Sequence, residues 1–70
     1  MTRAEARKAV DQAFVEVLVA EYKNILMVDL AVQKPDREAA YKQFQAALAI
    51  NIAAHAMAAR AIDENPNLTE

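Results

Sequence analysis

Between Thr2 and Asn65 the chain meets one residue that a helix interior cannot accommodate, Pro35, and it contains no glycine at any position. Proline lacks the amide hydrogen that the helical ladder needs, and it drives Lys34 before it away from helical geometry. Nothing interrupts a helix on either side. Thr2 followed by Glu5 is a capping-box pattern, in which the hydroxyl accepts from a first-turn amide and the carboxylate reaches back to the capping residue. This predicts a first helix over about 3–33, ended by QKPD at residues 33 to 36. Pro35 also suits a first helical position, and Asp36 and Glu38 put negative charge where the helix dipole favours it. A second helix is therefore expected over about 36–63. Asn65 and Pro66 of NPNLTE stop it and leave a short C-terminal tail. The expected fold is all-α and a single domain over residues 1–70. Two helices of roughly 42–46 Å, at 1.5 Å per residue, share a linker too short for anything but an antiparallel helical hairpin.

The second helix carries two apolar stripes. Tyr41, Phe44, Leu48, Asn51, Ile52, His55, Ala59 and Ile62 recur at spacings of three and four and share one face, the expected seam with the first helix. Ala39, Ala46, Ile50, Ala53, Met57 and Ala61 form a second stripe whose small side chains let another helix approach closely. The segment LAINIAAHAMAARAI, residues 48 to 62, combines both stripes. Alanine, the best helix former, keeps that segment stiff. Two packing faces imply two helical neighbours, of which a hairpin supplies one.

The first helix is apolar around most of its circumference. Val10, Phe14, Val17, Leu18, Ile25, Val28 and Val32 form one arc, and Val15, Val19, Tyr22 and Leu26 widen it beyond what one antiparallel helix can cover. A single core of 70 residues is also marginal without reinforcement, and the chain has no cysteine for disulfides or thiolate metal sites. Partner chains are the remaining reinforcement. Together these features predict a homodimer in which two hairpins form a four-helix bundle, the twofold being the commonest closure. Both packing faces permit either a parallel or an antiparallel pairing of the copies.

Charge and composition exclude several functions. A net charge of −2, with Lys and Arg scattered among Asp and Glu, gives no electrostatic footprint for nucleic acid. Residues 13 to 32 are the most apolar stretch, yet they include Glu16, Glu21, Lys23 and Asp29, each costing roughly 2.5–3.5 kcal/mol at a bilayer centre. No membrane partner is expected. The polar N-terminus, MTRAEARKAV, lacks the apolar core of a signal peptide, which predicts a cytoplasmic protein.

A turn near residues 34 and 35 sets face to face positions whose numbers add to about 70. His55 should then oppose Phe14 and Val15, Tyr41 should oppose Asp29 or Val28, and Arg7 should lie near Ile62 and Asp63. Three residues before His55 stands Ile52 rather than a carboxylate, so the Glu-x-x-His pair of a di-metal bundle is missing and no metal or other cofactor is expected. Nucleophilic catalysis lacks its nucleophile, since the chain has no Ser or Cys and Thr occurs only at positions 2 and 69. The chain is not expected to be an enzyme. His55 reads as a packed seam residue, which predicts destabilisation by acid as the imidazole charges. Glu21 and Asp29, the charges within the apolar arc, read either as rim or satisfied groups, with the Tyr41 hydroxyl donating to Asp29, or as register-setting ones. Asn51 has the stronger claim on register.

Three functions fit such a hairpin: docking on another protein, RNA binding in the manner of plasmid copy-control hairpins, or a purely structural assembly role. Met27 and Leu30 lie toward the polar side of the first helix, where exposed apolar groups point to contact with a protein partner. Arg7, Tyr41 and Glu64 are the further candidate partner-binding residues, Tyr and Arg being the side chains most enriched among binding hot spots. Arg7 and Glu64 should be near neighbours at the open end, close enough for a rim salt bridge. Phe14, Leu18, Ile25, Phe44, Leu48, Ile52, His55 and Ile62 are the expected dimer and core seam.

TRAEAR opening the first helix, KPDREAAYKQF opening the second and ARAIDENP closing it, in a chain without glycine or cysteine, resemble the small phage-encoded helical-hairpin inhibitors, among them the anti-quorum-sensing proteins of Pseudomonas phages. The resemblance covers size and layout and includes no diagnostic motif. It implies a dimeric inhibitor in the host cytoplasm that blocks host regulatory proteins, such as a quorum-sensing transcription activator and a pilus-assembly ATPase.

Overall fold

The structure, a computed structural model, describes residues 1–31 and 37–70, apart from the side chain of Asp29. The first arm consists of α1 (Arg3–Glu21), a π-helical segment (Tyr22–Met27) and α2 (Val28–Ala31); the second arm is α3 (Arg37–Glu64). The two arms pack along their length and run antiparallel, with Phe14 facing His55 and Arg3 bonded to Leu68. The result is an all-α hairpin. The corner read from Gln33, Lys34, Pro35 and Asp36, the seam position of Val32 and the Tyr41–Asp29 pair lie outside the described residues.

The capping box forms as the sequence dictates. The Glu5 amide donates to Thr2 Oγ1 at 3.1 Å, and the Thr2 amide donates to Glu5 Oε1 at 3.0 Å. The hydrogen bond from the Thr2 amide, followed by that from its hydroxyl, holds the Glu5 carboxyl below its ordinary range. The Arg3 amide, another of the donors that a helix start leaves unpaired, donates to Thr69 O at 2.7 Å.

That last bond belongs to a clasp that the sequence reading missed. Beyond α3 the chain turns at Asn65, whose side-chain oxygen accepts from the Asn67 amide at 2.8 Å. It then returns to α1 and forms a parallel bridge between Thr2 and Thr69. The Arg3 guanidinium gathers this tail, donating to Asn65 O at 2.7 Å, to Leu68 O at 2.8 Å and to the Glu70 carboxylate at 3.0 Å. A planar fork with five donors suits several acceptors at once. The tail is thereby part of the fold.

The π-helical segment is the other departure from expectation. The Val28 amide reaches back to Lys23 O, five residues earlier, so the segment carries an extra residue in its turn. Every later position is rotated relative to an unbroken α-helix. Leu26, expected at the margin, is half-buried beside Ile25, whereas Val28, expected in the main arc, is 48 % exposed. Glu21, the last residue before the segment, has its Oε2 oxygen buried without a hydrogen-bond partner among the described residues. It is therefore neither a fully solvated rim group nor a fully satisfied one.

Along the seam Val10, Phe14, Leu18, Ile25, Phe44, Leu48, Asn51, His55, Ala59 and Ile62 are half-buried. Ile52 and Tyr41 are corrections, 53 % and 54 % exposed. Asn51 and His55 occupy the contact line, and Ile52, one residue or about 100° further round the helix, projects along the flank. Among the described residues only Ala6 and Ala40 are buried, at 8 % and 2 % exposure. The hairpin measures 51 × 15 × 9 Å with a radius of gyration of 15.9 Å, against about 11 Å for a compact chain of this length.

If the Arg3 clasp holds the open end, Arg3→Ala should lower stability by about 1–2 kcal/mol. It should also speed hydrogen exchange at the Arg3 amide while leaving exchange around Phe14 at the wild-type rate. Unchanged exchange at Arg3 would show that the tail stays docked without the guanidinium.

Candidate protein-interaction surface

The polar centre of the hairpin is built around His55, which sits midway along the packed arms with its side chain 26 % exposed. Its ring lies against Phe14 with centroids 4.9 Å apart and planes tilted by 55°, so the expected pairing of these two positions is met. His55 Nε2 lies 2.7 Å from Asp11 Oδ1. A carboxylate only accepts, so Nε2 carries the proton and donates. The same oxygen accepts from Arg7 Nε at 3.3 Å, which links Arg7, Asp11 and His55 in one chain of hydrogen bonds. Beside them Asn51 Nδ2 donates to Phe14 O at 3.3 Å, a bond from one arm to the backbone of the other. An amide so placed favours a single alignment of the arms.

Asp11 had no assigned role in the sequence reading, although the signal was present. With His55 opposite Phe14 and Val15, Asp11 lies one turn earlier on the same face, and its spacing from Arg7 is that of a helical ion pair. The hydrogen bond from His55 is the main cause holding the Asp11 carboxyl below its ordinary range; desolvation opposes it, and Arg7 adds a hydrogen bond and its charge. The carboxylate can accept from either the neutral ring or the imidazolium. The ring thus has a carboxylate partner, unlike in the dry seam expected from sequence.

Alongside this polar chain runs an open groove of about 260 Å³, lined chiefly by Val10, Phe14, Val17, Ala54, His55 and Ala58. The second stripe of α3 continues outward from it, and Ala46, Ile50, Ala53, Met57 and Ala61 are all exposed. On the opposite flank Val15, Val19, Tyr22 and Ile52 are exposed as well. Each side of the hairpin thus shows apolar side chains to solvent.

The five candidate partner-binding residues divide between the two ends. Arg7 and Glu64 are exposed at the open end but bond within their own helices, Arg7 to Asp11 and Glu64 to Arg60 at 3.2 Å. In both pairs the partners stand four residues apart, and this spacing replaces the expected bridge between the arms. Toward the joined end Tyr41, Met27 and Leu30 are about half exposed, as is Tyr22. The structure brings these apolar groups to one end and the ionic ones to the other. Among the described residues, no three potential metal ligands gather and no helix is long and apolar enough to cross a membrane.

The pH dependence of the Asp11 contact follows from linkage. A carboxyl whose pKa is lowered on folding binds fewer protons than in the unfolded chain, so its stabilisation is complete above about pH 4 and is lost as pH falls through its folded value. Thermal melts of wild type and Asp11→Asn should therefore differ above about pH 4 and converge as pH falls through the lowered folded value of Asp11. A constant difference over that range would mean that the carboxylate contributes nothing through His55 and Arg7.

Comparison with known proteins returns no matching family model, no matching curated protein and no matching solved structure, so the geometry of these surfaces is what a functional reading has to rest on.

Proposed function

We propose that the chain is a non-enzymatic protein-binding module that works as a homodimer, two hairpins associating into a four-helix bundle that then docks on a partner protein. The observation that carries this reading is the apolar surface left open on both flanks of the hairpin. The chain exposes 5359 Å², whereas a folded monomer of its mass exposes about 4300 Å². The excess, roughly 1000 Å², is comparable to the share of about 800 Å² that each partner contributes to a stable interface. A thin rod with large apolar side chains exposed on both flanks gains by pairing.

The net charge of −2 favours a protein partner over RNA, and three of the eight cations are already engaged. Arg3, Arg7 and Arg60 are each engaged by a carboxylate, at Glu70, Asp11 and Glu64 respectively. Phosphate contacts would have to displace those acceptors. The joined end, with Tyr22, Met27, Leu30 and Tyr41, offers the aromatic and sulfur-bearing groups enriched at protein interfaces. Inhibition of a host quorum-sensing activator and a pilus-assembly ATPase, the narrower role, is supported by the resemblance in layout alone.

Sedimentation at about 10 μM is expected to show a dimer, and Leu48→Asp, which buries an unpaired carboxylate in the seam, is expected to unfold the chain or dissociate it. A stable, folded wild-type monomer would sink the bundle. Affinity purification from a bacterial lysate, read by mass spectrometry, identifies the partner. Calorimetry should then show Arg7→Ala and Tyr41→Ala weakening that binding by roughly 1–4 kcal/mol with helicity retained. Unchanged affinity in both would move the contact to Met27 and Leu30.

A further inference from the structure

We infer that the two copies meet through the face that carries the groove, antiparallel about a twofold axis near Ala54, with Ile50 and Met57 of each copy seated on the groove of the other. The inference rests on the dimeric reading above and specifies its interface. After Met1, Met57 and Ile50 are the most exposed large apolar residues among those described, at 72 % and 70 %. Neither lines the groove itself; both lie on α3 on the neighbouring face, Ile50 four residues before the groove-lining Ala54 and Met57 three residues after it. Knobs and hole thus share one surface of one chain. A surface with both features is self-complementary, as an isologous twofold contact requires.

The direction of pairing follows from the placement of the knobs. An axis perpendicular to α3 at Ala54 brings Ile50 of one copy against Ala58 of the other and Met57 against Asn51, so each knob enters a hole. An axis parallel to α3 would set Ile50 on Ile50 and Met57 on Met57 and leave both grooves unfilled, with the loss of contact that unfilled space entails. Each copy exposes 5359 Å² in all, roughly 1000 Å² more than a compact monomer of its mass, and a contact taking about 800 Å² from each copy would offset most of that excess. The opposite flank, with Val15 and Val19, then stays open in the dimer. Those two residues follow Ala13 and Val17 by two positions, or about 200° of helical rotation.

Sedimentation of variants altered at exposed positions tests the face without threatening the fold. Ile50→Asp and Met57→Asp should each weaken dimerisation at least about tenfold, while Val19→Asp should leave it unchanged, with circular dichroism confirming helicity in all three. The chain has no cysteine, so introduced thiols report pairing directly. Ala54→Cys and the double variant Ile50→Cys with Ala58→Cys should form interchain disulfides on oxidation, and Ile50→Cys alone should not. A wild-type dimer broken by Val19→Asp but not by Met57→Asp would overturn the inference and leave the dimer standing. A cross-link from Ile50→Cys alone would overturn the antiparallel arrangement. A folded, monomeric wild type at about 10 μM would overturn the inference together with the dimeric reading.

Discussion

Two helices lying side by side can hide only the strip along which they touch, and every other property of this hairpin follows from how that strip is occupied. Among the described residues only two small ones, Ala6 and Ala40, are buried, and none of the large apolar side chains is. What fixes the alignment is a polar group at mid-length, the Asn51 amide bonded to the Phe14 carbonyl, next to the Phe14–His55 contact. Apolar strips alone would tolerate sliding by a turn. A directional bond to one backbone carbonyl does not.

Local signals were legible because their physics is local. The capping box needs two residues three apart and forms as written, and half-buried positions on α3 follow the spacing of three and four through Phe44, Leu48, Asn51, His55 and Ile62. The same spacing misplaced Tyr41 and Ile52, because it admits a strip wider than a single neighbouring helix can cover. Phase was the second failure. A π-helical turn shifts every later residue, and YKNILM carries neither proline nor glycine to announce it, so Val28 and Leu26 exchanged roles.

The remaining features depend on separations that sequence patterns do not encode. Arg3 bonds to backbone carbonyls of Asn65 and Leu68, more than sixty residues away, and any residue type could have supplied those acceptors. Arg7 was expected near Asp63 and Glu64 on the other arm, yet it pairs with Asp11 on its own helix, where the i, i+4 geometry needs no reorganisation. His55 was legible as a seam residue, but its pairing with Asp11 needed the register as well as the pattern. Function is harder still. A surface patch is defined by what covers it, and that partner is not written in the chain.

The separation of ionic groups from apolar ones along the rod gives the two ends opposite responses to ionic strength. Salt screens the exposed pairs Arg3–Glu70, Arg7–Asp11 and Arg60–Glu64, all in the open half. Strongly hydrated salts such as sulfate also favour burial of apolar surface, including that around Tyr22, Met27, Leu30 and Tyr41 in the other half. One solution variable therefore loosens the grip at one end of the molecule while sharpening the adhesiveness of the other.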